Sequence, residues 1–450
     1  MKNNKVAVVG AGITGLSFAY RLKTMGITAD VFEAGNEAGG AIKTVRKDNW
    51  QIEYGPNTLL IKDKIVDDFI DELGLKSVRV VANKQADKRF IVKNGNLEPL
   101  PNSVMKAIKT PLFSAGGKAR VLAEPFITAS KDRDQTIADF VRRRLGNEIL
   151  EYAINPFVAG IFANNPENLS LRHAFPAMDE MEQEFGSLIW ASVVGSNNRK
   201  NKGRIPRELI SFERGVQQLP DKIAAELDSV FYQHRVVRLE KKSDGWYLEF
   251  QEKQRGPYEK VIVNVPLYKW DVHFLPLKVK ELLKIKEVSY PPMSVLHLGY
   301  KKSDVSHPLD GFGFLVPKKE NRKILGALFP STLFEKRAPE DCHLLTVFIG
   351  GGRQPKFADL KSAELLKLVE SELKDLIGLR GKAQLKEHIY WPHSIPAYHV
   401  GYDEILDTFD EIESRNKGLY LAGNFRKGIS VPDCIKNGLK LADKISLETS

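Results

Sequence analysis

A chain of 450 residues, 42% hydrophobic and 28% charged, is long enough for about three compact units and has a globular composition, which excludes intrinsic disorder and collagen-like repeats. Its two cysteines, Cys342 and Cys434, lie far apart, excluding a disulfide framework and any cysteine-built zinc or iron–sulfur centre. The 67 basic against 57 acidic residues leave a net charge of +10, which favours an anionic surface or an anionic substrate.

The opening Lys5-Val6-Ala7-Val8-Val9 runs straight into Gly10 without the apolar core and cleavage site of an export signal. A reducing, cytoplasmic setting is therefore expected. No run approaches the roughly 18 apolar residues of a membrane-spanning helix, so any membrane contact is expected on one leaflet, as a peripheral one. Nucleic acid is not an expected partner, and the sequence carries no signal for an oligomeric state.

In chain order, residues 6–9 read as a buried strand and residues 14–25 as a helix with Leu16, Ala19, Tyr20 and Leu22 at helical spacing. A second strand at 29–32 completes a βαβ unit and points to a parallel sheet covered by helices. Helices are expected at 66–75 and 136–153, inside a mainly helical stretch covering 100–195. Residues 197–208 read as a solvated loop in which Arg199, Lys200, Lys202, Arg204 and Arg207 precede the first acid, Glu208. A helix at 215–227 then leads to strands at 230–239 and 246–250, expected to form an antiparallel meander. Strands at 295–300, 313–316 and 344–349 and a helix at 362–377 form a second mixed region. The tail returns to the opening style, with a buried strand from Gly418 entering a glycine turn at 423 and a helix at 432–445.

Gly10-Ala-Gly12-Ile-Thr-Gly15 follows a strand, opens a helix and has an acid, Glu33, at the end of the next strand. This is the dinucleotide-binding pattern in its required context. Gly10 permits the tight turn, Gly12 lets backbone approach a pyrophosphate, Gly15 allows close packing of helix on sheet, and the helix N-terminus supplies free amides. Glu33 would accept ribose hydroxyls and repel a 2′-phosphate, which disfavours NADP. A second glycine pair, Gly39 and Gly40, followed by Ala41, brings more backbone to the same ligand and favours FAD over NAD.

The opening, the Glu53-Tyr-Gly-Pro-Asn57 segment and the tail Leu421-Ala-Gly-Asn424-Phe, followed by Gly428-Ile-Ser-Val-Pro-Asp-Cys-Ile435, resemble the flavin amine oxidase superfamily, and within it the FAD-dependent porphyrinogen oxidases. Lys88-Arg-Phe-Ile-Val-Lys-Asn-Gly95, Phe140-Val-Arg-Arg-Arg-Leu-Gly146, Gly160-Ile-Phe-Ala163 and Gly215-Val-Gln-Gln-Leu-Pro220 match family segments in order, so the resemblance spans the whole chain. The fold it implies is mixed α/β: a discontinuous Rossmann-like FAD-binding domain (1–80, 205–270, 395–450), an inserted mixed-sheet substrate domain (81–90, 271–394) and a helical domain (91–204) of the kind that seats relatives on a membrane. The chain itself is expected to show no long apolar patch in that helical region, which leaves membrane association an option.

The resemblance implies non-covalent FAD held by Gly10, Gly12, Ile13, Thr14, Gly15, Glu33, Ala34, Gly39, Gly40, Ala41, Lys43, Gly55, Pro56, Asn57, Thr58, Val236, Gly423, Asn424 and Val431. It implies six-electron oxidation of a porphyrinogen, protoporphyrinogen IX or alternatively coproporphyrinogen III, with the flavin taking hydride and oxygen or another acceptor reoxidising it. A flavin amine oxidase with another substrate is the alternative on the same fold. Arg89 matches the arginine that binds a substrate propionate, Asn57 a polar residue near flavin and macrocycle, and Leu315 and Phe334 apolar walls. No strong catalytic base is demanded of the protein, and the nine histidines form no His-x-x-x-His pair. His297 reads as a core or cleft histidine and Cys434 as a small buried thiol.

Overall fold

The computed structural model describes residues 5–198 and 204–448. Strands Val6–Val9, Ala29–Phe32, Val230–Phe231, Lys260–Val263 and Leu419–Leu421 form an all-parallel sheet, with Val6–Val9 at its centre between Ala29–Phe32 and Lys260–Val263. A parallel strand covered on both sides must be apolar at every position. Accordingly Val6 and Val8 enter one core, with Leu16, Phe18 and Ile435, while Ala7 and Val9 enter another, with Trp246, Trp270 and Phe409. Helices Ile13–Thr24 and Val431–Leu447 pack on the first face, bringing the two ends of the chain together.

A mixed seven-stranded sheet carries the second region, ordered Leu385–Trp391, Met293–Lys301, Cys342–Gly350, Gly326–Leu328, Gly311–Leu315, Lys88–Lys93 and Asn96–Pro99. Helix Ser362–Ile377 lays Leu365, Val369 and Leu373 on it. Arg89 pairs with Gly313 across the parallel contact between Lys88–Lys93 and Gly311–Leu315. These strands extend the sheet past residue 91, where the helical block was expected to begin; the first helix there is Val104–Lys109.

Three local expectations are corrected. The helix read over 136–153 stops at Arg144, where Gly146 takes φ +90° and both it and Leu145 donate to the Val141 carbonyl. The chain resumes as an α-helical turn, Asn147–Ile149, and widens into a π-helical turn, Leu150–Ile154, ahead of Pro156, which has no N–H with which to continue an α-helical ladder. The strand read over 230–239 is two: Val230–Phe231 pairs parallel with Ala29–Phe32, then a turn with Gln233 at φ +57° leads to Arg238–Lys242, antiparallel to Gly245–Glu249.

The loop read over 197–208 gives way at Arg204–Phe212 to a strand between Leu59–Asp63 and Arg79–Val81. Pro206 is tolerated because Arg79–Val81 pairs only with residues 210–212, and the register with Leu59–Asp63 shifts between Ile61 and Asp63, next to the proline. Arg199, Lys200 and Lys202 lie outside the described residues. Within the helical block, the fully buried Arg144 bridges Glu124 at 2.7 Å and Glu182 at 2.6 Å, fixing three segments to one another.

Candidate functional site

The first glycine motif lies where Val6–Val9 turns into helix Ile13–Thr24. Gly10 has φ +100°, and a Cβ there would sit 2.5 Å from the Asn264 carbonyl oxygen, so only glycine fits. The cap residue of the helix, Gly12, places no side chain over the helix amides, and the first turn holds no acid. The positive end of the helix is thus left for an anion. Glu33 holds the rim: Oε2 accepts from the Ala11 amide at 2.8 Å and Oε1 from the Gly35 amide at 2.7 Å, and each oxygen retains a lone pair for a ribose hydroxyl. Ala34 is exposed beside it.

Around this loop the other predicted residues gather. Gly39 bridges to Gly12, its amide donating to the Ala11 carbonyl at 2.8 Å, which brings Gly40 and Ala41 to the same groove. Lys43 pairs with Glu37 on the outer side. The His234 amide donates to the Glu33 carbonyl at 2.8 Å, which sets the buried Val236 close along the chain from the Glu33 rim. These donors, acceptors and backbone approaches fit a dinucleotide with an unphosphorylated ribose.

From the other end of the chain, Leu419–Leu421 delivers Gly423 and Asn424 to the same edge of the sheet. Ser430 caps the last helix by accepting from the Asp433 amide at 3.2 Å, so Val431 is the first helical residue and Pro432, expected first, the second. Cys434 is buried and its thiol is pushed up to about 12, an inert state.

The 55–57 turn lies between these two motifs. A Cβ on Gly55 would meet the Ala41 carbonyl oxygen at 1.9 Å, so this turn abuts the second glycine pair and requires glycine. On its far side, Leu59–Asp63 packs on the last helix, where Lys436 bonds Asp63 at 3.1 Å. Asn57 and Thr58 face a small cavity shared with Gln51, Glu53, Leu333, Phe334, Arg337, Leu344 and Thr346.

Arg89 is exposed, makes no ion pair among the described residues, and sits 5.2 Å over the Phe312 ring, which packs on the cluster containing Phe334. Its neighbour Lys88 is neutralised by Asp310. Asn57, Phe334 and Arg89 are therefore linked through Phe312. Leu315 is not part of that group: it packs with Ile91, Leu112 and Tyr152, and presses on Gly160 of helix Asn155–Phe162.

Sequence reasoning missed four residues of the site. Asn264 donates through Nδ2 to the Gly12 carbonyl at 3.2 Å and lies close to Gly423, stapling the two glycine motifs together. Its signal was the apolar Val261-Ile-Val263 that precedes it, too short to stand out as a strand. Tyr398 and Tyr402 bond the carbonyls of Asn424 and Phe425, and buried Arg337 faces Glu53; their separation in sequence left no local signal.

The chain belongs to the family of flavin containing amine oxidoreductases, whose pattern it matches over residues 13–446, and it is a flavin-dependent oxidoreductase. It is 34% identical to the mitochondrial protoporphyrinogen oxidase of Nicotiana tabacum, over 98% of this chain and 94% of that protein. It is 27% identical to the coproporphyrinogen III oxidase of Bacillus subtilis, over 96% of each chain. In fold it matches a provisionally named protoporphyrinogen oxidase from Exiguobacterium sp. 255-15, with a TM-score of 0.84 at 24% identity and full coverage of both chains.

Proposed function

We propose that this protein oxidises protoporphyrinogen IX to protoporphyrin IX in haem biosynthesis, using non-covalently bound FAD. The observation that carries the reading is near-full-length similarity at 34% identity to a protoporphyrinogen oxidase, joined to two glycine motifs on one groove. FAD, bound there, supplies a two-electron acceptor, used three times, with oxygen as the terminal oxidant. Glu33 and the helix amides hold the adenosine and phosphates, and the first turn of the last helix faces the flavin ring. Cys434, the one cysteine near the site, is buried and inert, which supports non-covalent attachment.

The substrate enters beside Asn57, with Arg89 holding a propionate through paired N–H···O bonds and Phe312 and Phe334 forming the apolar side. Leu315 borders the far wall with Tyr152. Arg89 makes no ion pair among the described residues, which leaves its guanidinium available to a propionate.

The helical block presents Met105, Ile108, Leu122, Phe126, Trp190 and Val193 to solvent on neighbouring segments, interspersed with Lys106, Lys109 and Lys118. The folded surface thus holds an apolar patch although the chain has no long apolar run. Among the described residues no helix is long and apolar enough to cross a membrane. We assign this face to peripheral contact with an anionic leaflet, from the cytoplasmic side.

Turnover of both porphyrinogens on one preparation tests the reading. Preferred conversion of protoporphyrinogen IX by yellow protein, with oxygen uptake, is expected. Preference for coproporphyrinogen III reassigns the substrate, and flavin-loaded protein inert toward both overturns the proposal.

A further inference from the structure

Strand Trp50–Glu53 ends in a carboxylate that the reaction described so far does not use. Glu53 is 6% exposed; its Oε2 accepts from the Thr44 hydroxyl at 2.6 Å and its Oε1 from the Val216 amide at 3.1 Å. The charged groups facing it are both cations: Arg46, from strand Thr44–Lys47, and Arg337, from the loop beyond helix Pro330–Leu333. Arg46 is occupied with Gln51, and Arg337, 3% exposed, donates to the Ser211 hydroxyl at 2.8 Å and the Phe212 carbonyl at 3.0 Å.

Two buried polar atoms beside this carboxylate have no protein partner: Gln51 Nε2, a donor on a side chain 3% exposed, and Asn57 Oδ1, an acceptor. Both residues line the same small cavity as Glu53, Arg337 and Thr346, with room for about one water molecule. A water there can accept from Gln51 and donate to Asn57, which satisfies both orphans and joins Asn57 to the carboxylate. Asn57 lies on the turn between the two flavin motifs, so the cavity lies directly behind that turn.

We propose that this cavity is an internal proton site: Glu53 takes up, through the enclosed water that Asn57 and Gln51 hold in place, the proton that leaves the substrate in each two-electron oxidation. The inference rests on the function proposed above. In each step one hydrogen leaves the macrocycle as hydride, carrying its C–H electron pair to the flavin. A second leaves as a proton, its electron pair remaining in the new π bond. Glu53 holds that proton as a neutral acid and later returns it to solvent. Burial, opposed by the Thr44 and Val216 hydrogen bonds and the two arginines, pushes its pKa up to about 7, which matches a group that loads and unloads near neutrality.

The test is anaerobic reduction of the holoenzyme by porphyrinogen at pH 8, read by infrared difference spectroscopy and a pH-indicating dye. In wild type a carbonyl band of a newly protonated carboxylic acid is expected, with the proton retained by the protein. In Glu53→Gln the band is lost and the proton appears in the medium, and the acid limb of kcat near pH 7 disappears. Glu53→Asp, which keeps a carboxyl group, should retain a displaced band and covers the case in which Glu53→Gln fails to fold. A wild-type spectrum without the band, or a band unmoved in both variants, overturns the proton site. Flavin that neither porphyrinogen reduces overturns the proposed function instead. In that case, titration of the oxidised holoenzyme, compared with Glu53→Asp, still decides whether Glu53 exchanges a proton near pH 7.

Discussion

The Tyr402 hydroxyl donates to the Phe425 carbonyl oxygen at 2.5 Å, and the neighbouring Tyr398 hydroxyl donates to the carbonyl of Asn424. The two rings lie 4.8 Å apart and both are buried, which raises their pKa values well above the ordinary tyrosine value and keeps them as donors. The helical block grips the same segment. The Ser170 amide donates to the Tyr398 carbonyl at 2.7 Å, and Asp134 accepts from the Gly401 amide at 2.8 Å. The last flavin motif is thus held from behind by residues that never face the groove.

Tyr402→Phe leaves the Phe425 carbonyl without this donor inside the protein, at a cost of about 1–3 kcal/mol. A lower unfolding temperature and faster flavin release are expected. They are checked by thermal melts of holoprotein and by flavin fluorescence on dilution. Unchanged flavin release would show that the tyrosine does not shape the groove.

Glu33→Ala removes the acceptor for the Ala11 and Gly35 amides and, on the function proposed above, the partner for the ribose. Flavin binding should weaken roughly tenfold or more, from the loss of about 1.5–3 kcal/mol of charge-assisted hydrogen bonding, measured by titrating apoprotein with FAD.

Arg89→Ala should raise KM for porphyrinogen roughly tenfold, the loss of about 1.4 kcal/mol, with the flavin spectrum and affinity unchanged. Arg89 stands at the Phe312 end of the site and touches neither glycine motif. A flavin spectrum that moved with this substitution would place the arginine at the cofactor instead.

His297 is fully buried, with Nδ1 3.1 Å from the Thr346 hydroxyl and its ring stacked on Tyr54; Glu387 is the charge that faces it. Burial pulls its pKa down to about 4. The unfolded chain binds this proton near pH 6.5 and the folded one does not, so the stability His297 preserves at neutral pH is lost as pH falls from 6.5 toward 4. The loss amounts to about 3 kcal/mol. Glu53 acts in the opposite sense: its folded pKa lies above the unfolded 4.5, so it removes stability as pH rises from 4.5 to about 7. Denaturant unfolding of wild type and His297→Gln across this range separates the two, since only wild type should carry the histidine slope.

The nucleotide-binding opening was legible because its signals are local: one strand, one glycine turn, one helix and one acid fall within the first 33 residues. Strand Lys260–Val263 was missed although it pairs directly with the first strand, because three apolar residues after a lysine carry no periodicity. The cavity beside Asn57 draws on residues 51–58 and 330–346, brought together only by the meeting of two sheets. The apolar face of the helical block was hidden for a related reason: Met105, Leu122 and Trp190 stand on separate helices, so no run of sequence contains the patch. Leu315 packs with Ile91, Leu112 and Tyr152, partners drawn from three segments that no local pattern joins.

The parallel sheet takes strands from residues 6–9 and 419–421, with nearly the whole chain between them. During translation the N-terminal half of the groove emerges first and must wait, unfinished, while the intervening regions are made. Coenzyme capture is therefore a late event in biosynthesis: a nascent chain still short of Leu419 on the ribosome cannot close its grip, so loading with flavin reports that synthesis has run past that strand.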